Sequence, residues 1–519
     1  MSVTSLPRAN GGSFFSAIPE RVFTPEDFAG DEALMIQMAE EFARKEVLPL
    51  AERLEKQEPG LMPDLVRRAA ALGFCGVDAP EAYGGLGLSK NLAARILEYM
   101  SQDASFSVTY GITCGISVAG LALFGTEDQK RRYLPKIVSG EWIGAYALSE
   151  PNSGSDALSA TTRAVPCDGG YRLTGTKMWI SNAQWADLFT VFAKVNGDQF
   201  TGFLIERDTP GLLVEREEHK LGLKGSSTAR LVLSDAFVPE ANVLHEVGKG
   251  HQVAFNALNL GRFKLASMSL GPARDTMTRA AQYARERKQF GRPIAEFGLI
   301  RQKFAEMAAR FYAAESCIYR TGALIDQAFA EHAGTVDGNR KACEEFAIEC
   351  SLCKVLATEA EAFIVDESLQ VYGGYGFSEE FPAARHYRDA RVSRIYEGTN
   401  EINRVFIADR MRRKGLLESA GDSFISELAG RAMRAEVSDQ VRQGAQADLA
   451  MLTYAEQSAR LRALQTGNPL HRAASDLFRF WANGQAARAY ALVTGESVMV
   501  PAMDPLPSIE ALGGVSGPV

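Results

Sequence analysis

The sequence predicts an α+β fold that is mostly α, with one β region between two helical regions of the chain. Apolar residues recur at helical spacing early in the chain, alternate at strand spacing in the middle, and return to helical spacing after His251. A β region enclosed in this way excludes a doubly wound sheet, because that fold alternates strands with helices. The 519 residues are enough for three or four packed units.

Local signals predict the first helix and one hairpin. Residues 24–27 combine a capping hydroxyl, a proline and two acids, and Leu34, Met38 and Phe42 then recur every four residues. This spacing predicts one apolar face of a helix. Further along, the runs 186–195 and 199–206 flank an Asn-Gly pair, which predicts a β-hairpin.

Composition and charge exclude several classes of protein. The formal charge is −8 and the pI is near 5.6, so electrostatics gives no reason to expect a nucleic-acid partner. No run of about eighteen apolar residues is evident, which predicts no transmembrane segment. Residues 1–12 contain one arginine and no apolar core, so we expect no leader and a cytoplasmic protein.

Cysteines and histidines indicate neither a disulfide framework nor a metal site. The seven cysteines are odd in number and scattered, and the six histidines include no pair at helical ligand spacing. Cys350 and Cys353 lie in a helical pattern, so we interpret them as buried thiols.

A carboxylate on a tight loop is the clearest candidate for chemistry. Glu397 precedes Gly398 and a helix predicted from Asn400 to about Lys414, with Thr399 as its N-cap. Two interpretations are open. Glu397 is either a general base held by backbone close to a ligand, or a solvated residue in an ordinary capping loop.

This loop resembles the base loop of the acyl-CoA dehydrogenases, and the resemblance extends from about Phe23 to Lys414. It implies that Glu397 removes the α-proton of an acyl thioester. Some members carry the base one residue before Arg262, but Gly261 stands there and supplies no carboxylate. The resemblance implies five parts: an N-terminal arm (1–22), an N-terminal helical domain (23–145), a β-barrel or sandwich domain (146–258), a C-terminal four-helix bundle with the catalytic glutamate (259–414), and a helical extension with a flexible tail (415–519).

Four motifs carry the implied binding site for FAD, and in chain order they are residues 146–156, 175–182, 285–292 and 370–377. The family often has threonine where this chain has Ser149, so the hydroxyl is kept and the methyl is lost. The implied cofactor-binding residues are Tyr146, Leu148, Ser149, Ser155, Trp179, Ser181, Arg287, Gln289, Phe290, Gln370, Gly373, Gly374, Thr399 and Glu401. In the family the arginine and glycine motifs hold FAD that is bound mainly by a neighbouring subunit, which implies a homodimer or homotetramer.

The implied substrate is an acyl-CoA, contacted by Ser155, Arg262, Tyr396 and Gly398. Gly111, Gly115 and Gly120 lie where the family lines the far end of the acyl pocket. They either leave depth for a long chain or let two helices approach closely, and the sequence favours neither.

The predicted function is FAD-dependent α,β-dehydrogenation of a long-chain fatty acyl-CoA to trans-2-enoyl-CoA in fatty acid β-oxidation, with an electron-transfer flavoprotein as acceptor. Phe263, the run 296–300 and a shortened C-terminal extension look most like the very-long-chain branch. Two alternatives remain: an acyl-CoA oxidase of the same fold, and a non-catalytic assembly or scaffold protein built on it.

Overall fold

The computed structural model describes residues 9–514, so the first eight residues of the predicted arm and the last five of the predicted tail lie outside it. The described chain divides into two compact units. Unit 1 contains the described residues of Met1–Ala33, Leu265–Gln327 and Glu345–Val519. Unit 2 contains Leu34–Lys264 and Ala328–Glu344.

The described residues form eighteen α-helices. The first eight are α1 (Ser13–Ser16), α2 (Asp31–Phe42), α3 (Ala51–Glu55), α4 (Leu61–Ala71), α5 (Lys90–Met100), α6 (Ala104–Gly111), α7 (Ser117–Phe124) and α8 (Glu127–Val138). The others described are α9 (Gly250–Glu286), α10 (Gly298–His332), α11 (Val336–Glu345), α12 (Ala347–Tyr372), α13 (Pro382–Ala390), α14 (Asn400–Arg413), α15 (Phe424–Met433), α16 (Gln440–Thr466), α17 (Pro469–Thr494) and α18 (Leu506–Leu512).

The strands lie between α8 and α9, apart from one short pair. They are β1 (Gly144–Ala147), β2 (Arg163–Cys167), β3 (Gly170–Ser181), β4 (Leu188–Val195), β5 (Gln199–Glu206), β6 (Leu212–Glu217), β7 (Thr228–Pro239), β8 (Val243–Leu244), β9 (Lys288–Gln289) and β10 (Arg292–Pro293). This order confirms the predicted α+β, mostly α fold class.

The sheet of unit 2 has eight strands in the order β6-β7-β3-β2-β4-β5-β8, and β1 pairs with β4 in parallel. The predicted hairpin is confirmed, since Val195 pairs with Gln199 across the turn. Asn196 and Gly197 have φ values of 52° and 91°, the left-handed conformations that such a turn requires. Alternate residues such as Phe189, Val191 and Phe203 form the buried core of this sheet.

The first predicted helix differs from expectation in two ways. Pro25–Asp27 forms a short 3₁₀ turn, capped by Thr24 and Asp27, and α2 begins only at Asp31. Leu34 and Met38 are exposed, so the predicted apolar face is wrong at these two positions. The reason is that α2 lies at the surface and buries only its last turn, through Ala39 and Phe42.

One continuous helical stretch of unit 2, Ala104–Phe124, is mostly buried and consists of α6, a π turn (Ile112–Ile116) and α7. Among the described residues it alone is long and apolar enough, by length and composition, to cross a membrane. The expectation that no run is sufficiently apolar is therefore wrong. Most of this stretch is buried by other residues of the protein, as is usual for a helix in a protein core.

The helix after the base loop is confirmed in unit 1. α14 begins at Asn400, and the Thr399 hydroxyl accepts a hydrogen bond from the N–H of Ile402 at 3.2 Å. The extension contains α15 to α18. Cys350 and Cys353 are buried in α12 and form no disulfide bond.

Candidate active site

In unit 2, the first two predicted cofactor motifs lie side by side. The N–H of Met178 donates to the carbonyl of Ser149 at 2.9 Å. The Lys177 ammonium donates to the carbonyl of Leu148 at 3.1 Å. Residues almost thirty positions apart therefore form one surface, because β3 runs beside the loop that follows β1.

A buried ion pair that we did not predict supports this surface. Lys177 Nζ lies 2.7 Å from Glu150 Oε1, and the two side chains are 0% and 2% exposed. Glu150 also accepts a hydrogen bond from the N–H of Thr161 at 2.6 Å. Burial opposes ionisation of Glu150, but Lys177 and the hydrogen bonds lower its pKa to about 2. Burial lowers the pKa of Lys177 to about 8, although Glu150 acts in the opposite direction.

Trp179 follows Lys177 on β3 and has a strained backbone. Its φ is 61°, in the left-handed region, and its side chain is 56% exposed. Nearby in the first motif, the Tyr146 hydroxyl donates to the carbonyl of Ala254 at 3.3 Å. An exposed indole offers a flat apolar surface, which suits a heteroaromatic ring.

In unit 1, the backbone of the base loop is also strained and firmly held. Glu397 has a φ of 57° and Gly398 a φ of 79°. The carbonyl of Gly398 accepts hydrogen bonds from Lys354 Nζ at 2.9 Å and from Asn403 Nδ2 at 2.8 Å. Both donors are completely buried, so they fix the peptide that follows Glu397.

An ion network holds the helix behind this loop. Asn400 donates to Glu359 at 3.1 Å, and Arg404 makes two contacts with the same carboxylate, at 2.7 and 3.0 Å. Arg404 also donates to Asp448 of α16 at 2.7 Å. The extension therefore supports α14, the helix that begins directly after the base loop.

A second carboxylate lies near the base loop in unit 1. Glu361 is buried on α12, and burial raises its pKa to about 8. Burial also raises the pKa of Tyr396 well above its ordinary value, with further contributions from Glu361 and Glu397. Nothing in the local sequence around Glu361 distinguishes it from a surface glutamate of a helix.

The third and fourth predicted cofactor motifs meet in unit 1. The rings of Tyr283 and Tyr372 stack with centroids 4.4 Å apart. The Arg287 guanidinium lies over the Tyr375 ring at 5.6 Å. The predicted residues of both motifs are exposed, and Phe290 is 94% exposed. Together they form a surface that presents a cation, aromatic rings and exposed backbone.

Three family models match the chain: the N-terminal domain of acyl-CoA dehydrogenase over residues 30–141, the middle domain over 145–236 and the C-terminal domain over 248–412. The chain belongs to the acyl-CoA dehydrogenase family. This confirms the resemblance inferred from the base loop and the cofactor motifs.

Individual acyl-CoA dehydrogenases match over most of the chain. A probable acyl-CoA dehydrogenase of Bacillus subtilis strain 168 is 45% identical over 414 residues, 78% of this chain and 70% of that protein. The mitochondrial very long-chain specific acyl-CoA dehydrogenase of Macaca fascicularis is 37% identical over 421 residues. That match covers 77% of this chain but only 62% of the macaque protein.

A solved structure matches both the catalytic region and the extension. The acyl-CoA dehydrogenase from Bacillus anthracis, crystallised in complex with FAD, has a TM-score of 0.91 and 37% identity. The match covers 97% of this chain and 98% of the other. The present chain is therefore a flavin-dependent oxidoreductase with FAD as its cofactor.

The residues present fit FAD in both units. In unit 1, a Cβ atom placed on Gly373 or Gly374 would meet nothing within 4 Å, so open space lies beside this backbone. Arg287 supplies a planar cation for a pyrophosphate. In unit 2, Trp179 supplies the flat surface that an isoalloxazine ring requires.

Arg262, the predicted contact of the CoA phosphates, lies inside unit 2. It is 8% exposed and donates to Asn259 at 3.2 Å. A phosphate would have to reach into the unit to meet this guanidinium. Its substrate role, like the other predicted roles of individual site residues, stays a prediction.

The three glycines of the predicted acyl pocket contact their neighbours to different degrees. A Cβ atom on Gly115 would lie 3.5 Å from Cδ of Lys264, and one on Gly120 would lie 3.6 Å from Val253. Gly111 lines a cavity together with Gly115 and Lys264. Both are ordinary van der Waals distances, so a Cβ atom would fit at Gly115 and at Gly120, and the approach of the two helices does not require glycine there.

Proposed function

We propose that this acyl-CoA dehydrogenase oxidises the Cα–Cβ bond of a long-chain fatty acyl-CoA to give a trans-2-enoyl-CoA in cytoplasmic fatty acid β-oxidation. Glu397 is the general base, and an electron-transfer flavoprotein receives the electrons. The observation that carries this proposal is the fixed, left-handed loop of Glu397, whose following carbonyl accepts two buried hydrogen bonds.

Glu397 can act as the base only if its carboxylate is held in an accurate position. A general base must reach its proton at hydrogen-bond distance, and a misplacement of about 1 Å costs about 10²-fold in rate. Lys354 and Asn403 hold the peptide after Glu397, so they limit the movement of the loop. A strained residue that persists because its surroundings fix it is typical of catalytic loops.

The α-proton of a thioester is weakly acidic, so its removal requires hydrogen-bond donors at the thioester oxygen. We propose the backbone N–H of Glu397 as one such donor. FAD, when bound, supplies the acceptor for the hydride that leaves the β-carbon. Tyr146, Leu148, Ser149, Trp179 and Ser181 orient the flavin ring in this proposal, and Ser155 contacts a phosphate or ribose oxygen.

Unit 1 has a separate role in cofactor binding. We assign Arg287, Gln289, Phe290, Gln370, Gly373 and Gly374 to the adenosine diphosphate half of FAD, with Thr399 and Glu401 beside the cofactor. Phe290 is 94% exposed, so its ring is accessible to a neighbouring subunit at this surface. A homodimer or homotetramer would provide that subunit.

The proposed length of the acyl chain and the proposed electron acceptor rest on similarity to relatives of this chain. The very long-chain relative supports a long acyl chain. An acyl-CoA oxidase would share the base and the flavin, and would differ in reacting rapidly with oxygen. A scaffold protein would have no need of Glu397 and the complete set of flavin motifs, and this chain has all of them.

Anaerobic titration tests the proposal. FAD-loaded protein is mixed with acyl-CoAs of graded length, from butyryl to eicosanoyl, while the flavin absorbance is followed. A dehydrogenase is bleached without oxygen and regains colour slowly in air, whereas an oxidase regains colour rapidly. A flavin that no acyl-CoA bleaches would contradict the proposed reaction and favour the scaffold alternative.

A further inference from the structure

Residues 11–16, which we call the strap, are held inside unit 1 by carboxylates that come much later in the chain. The N–H of Gly11 donates to Glu345 Oε1 at 2.7 Å, and the N–H of Gly12 donates to Glu349 Oε1 at 2.6 Å. These partners lie 334 and 337 positions further along the chain. Glu345 ends α11 and Glu349 lies in the first turn of α12, so the strap is attached to the beginning of α12.

Gly11 lies too close to its neighbours for any side chain. A Cβ atom placed there would clash with the carbonyl of Glu345 and would lie 2.9 Å from Lys414 Nζ. The Lys414 ammonium also donates to the carbonyl of Gly11 at 3.0 Å. Because Lys414 directly follows α14, the strap also contacts the far end of the helix that begins after the base loop.

Two aromatic side chains bury the strap against the extension. Phe14 and Phe15 are 2% and 0% exposed, and the ring centroids of Phe14 and Tyr454 of α16 are 4.8 Å apart. Gln457 of α16 donates to the carbonyl of Phe14 at 3.0 Å, and the N–H of Ala420 donates to the carbonyl of Phe15 at 2.9 Å. Burial of apolar surface with paired carbonyls favours the bound strap over a free one.

The three helices in contact with the strap also hold the base loop. α12 carries Lys354 shortly after Glu349, and Lys354 donates to the carbonyl of Gly398. α14 begins directly after the loop, and α16 supports α14 because Arg404 donates to Asp448. The strap, the three helices and the loop therefore form a closed ring of contacts, and packed contacts of this kind can transmit a change from the strap to the loop.

We propose that the N-terminal strap is a positioning element for the catalytic base. Its binding fixes α12 and α14, and with them the peptide that follows Glu397. The inference rests on the proposed role of Glu397 as the base and deepens it. When the strap leaves its site, α12 and α14 lose these restraints, and Glu397 spends less time in its productive position. Proton removal then slows although FAD stays bound.

Two variants release the strap, and a third is their control. Gly11→Ala introduces the methyl group that clashes with Glu345. Phe14→Asp places a carboxylate beside Tyr454, where burial strongly disfavours its charge. Gly484→Ala adds the same methyl group in α17, where a Cβ atom would meet nothing within 4 Å. All three leave the base loop and the flavin motifs unchanged in sequence.

Hydrogen–deuterium exchange of the FAD-loaded protein, read by mass spectrometry of peptides, reports on the strap and the base loop together. Wild type and Gly484→Ala should protect the strap and residues 395–404. Gly11→Ala and Phe14→Asp should exchange about tenfold faster or more in both peptides, and at the wild-type rate in α17 and in the sheet of unit 2. A general structural role would instead raise exchange in all four regions.

Anaerobic flavin reduction at saturating acyl-CoA gives the functional readout. Both released variants should reduce their flavin about tenfold more slowly than wild type and Gly484→Ala, with unchanged FAD content. A misplacement of about 1 Å costs about 10²-fold in rate, and a loosened loop is misplaced for part of the time.

The inference is overturned if the strap exchanges freely in a variant while residues 395–404 keep their wild-type protection, or while flavin reduction keeps its rate. Equal gains of exchange in all four regions also overturn it. If the strap of Gly11→Ala stays protected, Phe14→Asp decides, and protection in both variants shows that these contacts do not hold the strap. A wild type that no acyl-CoA reduces would remove the proposed reaction, whereas the exchange data would still show whether the strap holds the loop.

Discussion

Lys177 and Glu150 form an ion pair of 2.7 Å inside unit 2, and this pair joins the two segments that we propose to hold the flavin ring. One segment contributes Ser149 and the other contributes Trp179. Because both charged groups are almost completely removed from water, neither tolerates loss of its partner. The surface on which the ring would lie therefore depends on charges that the cofactor does not touch.

Replacement of Lys177 by methionine should destabilise the protein strongly. The change leaves Glu150 buried without its cation, which typically costs about 3–5 kcal/mol. The double variant Lys177→Met/Glu150→Gln should recover part of this loss, because it also removes the charge. Urea unfolding followed by circular dichroism measures both effects. A single variant as stable as the double variant would contradict this explanation.

Replacement of Lys354 by methionine should slow catalysis more than it weakens cofactor binding. The Gly398 carbonyl would keep only Asn403 as a side-chain donor, so the peptide after Glu397 would move more freely. We expect flavin reduction by acyl-CoA to slow by about 10²-fold, with FAD content unchanged. Stopped-flow absorbance gives the rate, and Lys341→Met, at an exposed lysine that pairs with Asp337, is the surface control. Equal losses of FAD and of rate would indicate a general structural defect.

Glu397→Gln should keep its yellow flavin and lose about 10²–10⁴-fold in turnover. The amide preserves the size of the side chain but cannot accept the proton. Glu436→Gln, at an exposed glutamate of the extension, is the matched control and should behave as wild type. Turnover of Glu397→Gln within about tenfold of wild type would exclude Glu397 as the base.

Glu361 should make the protein less stable as the pH rises. Its folded-state pKa is about 8 against an ordinary value of 4.5, so the folded state keeps a proton that the unfolded state releases in this interval. Its contribution is therefore most favourable below pH 4.5, falls as the pH rises towards 8, and is fully lost above 8. The slope is at most about 1.4 kcal/mol per pH unit.

Glu361→Gln should flatten this part of the stability curve, as measured by urea unfolding between the two pH values. Glu349 is buried as well, and burial raises its pKa to about 7, so a smaller slope should remain. The difference between the variant and the wild type isolates Glu361. Parallel curves would show that Glu361 ionises normally in the folded protein.

Local patterns predicted the parts of the fold that are fixed by neighbouring residues. The hairpin at Asn196 and Gly197 follows from the conformations that these residues adopt, and the cap of α14 follows from the Thr399 hydroxyl. The exposed positions Leu34 and Met38 were predicted wrongly, since spacing indicates that residues share a face but not that a neighbour covers it.

The supports of the site were not predicted because their partners are distant in sequence. Lys354 holds a carbonyl 44 positions away, and Lys177 pairs with a carboxylate 27 positions away. A lysine within an apolar stretch was the available signal in both cases. That signal shows burial of a charge, but only the folded chain shows which group neutralises it.

The left-handed backbone of Glu397 sets a limit on how this enzyme can be improved. Glycine adopts such angles without strain, so Glu397→Gly would relax the turn and remove the reacting carboxylate in the same step. A screen for heat resistance alone would reward that exchange. Directed evolution of this chain therefore needs a selection for turnover as well as for stability, so that variants that have lost Glu397 are rejected.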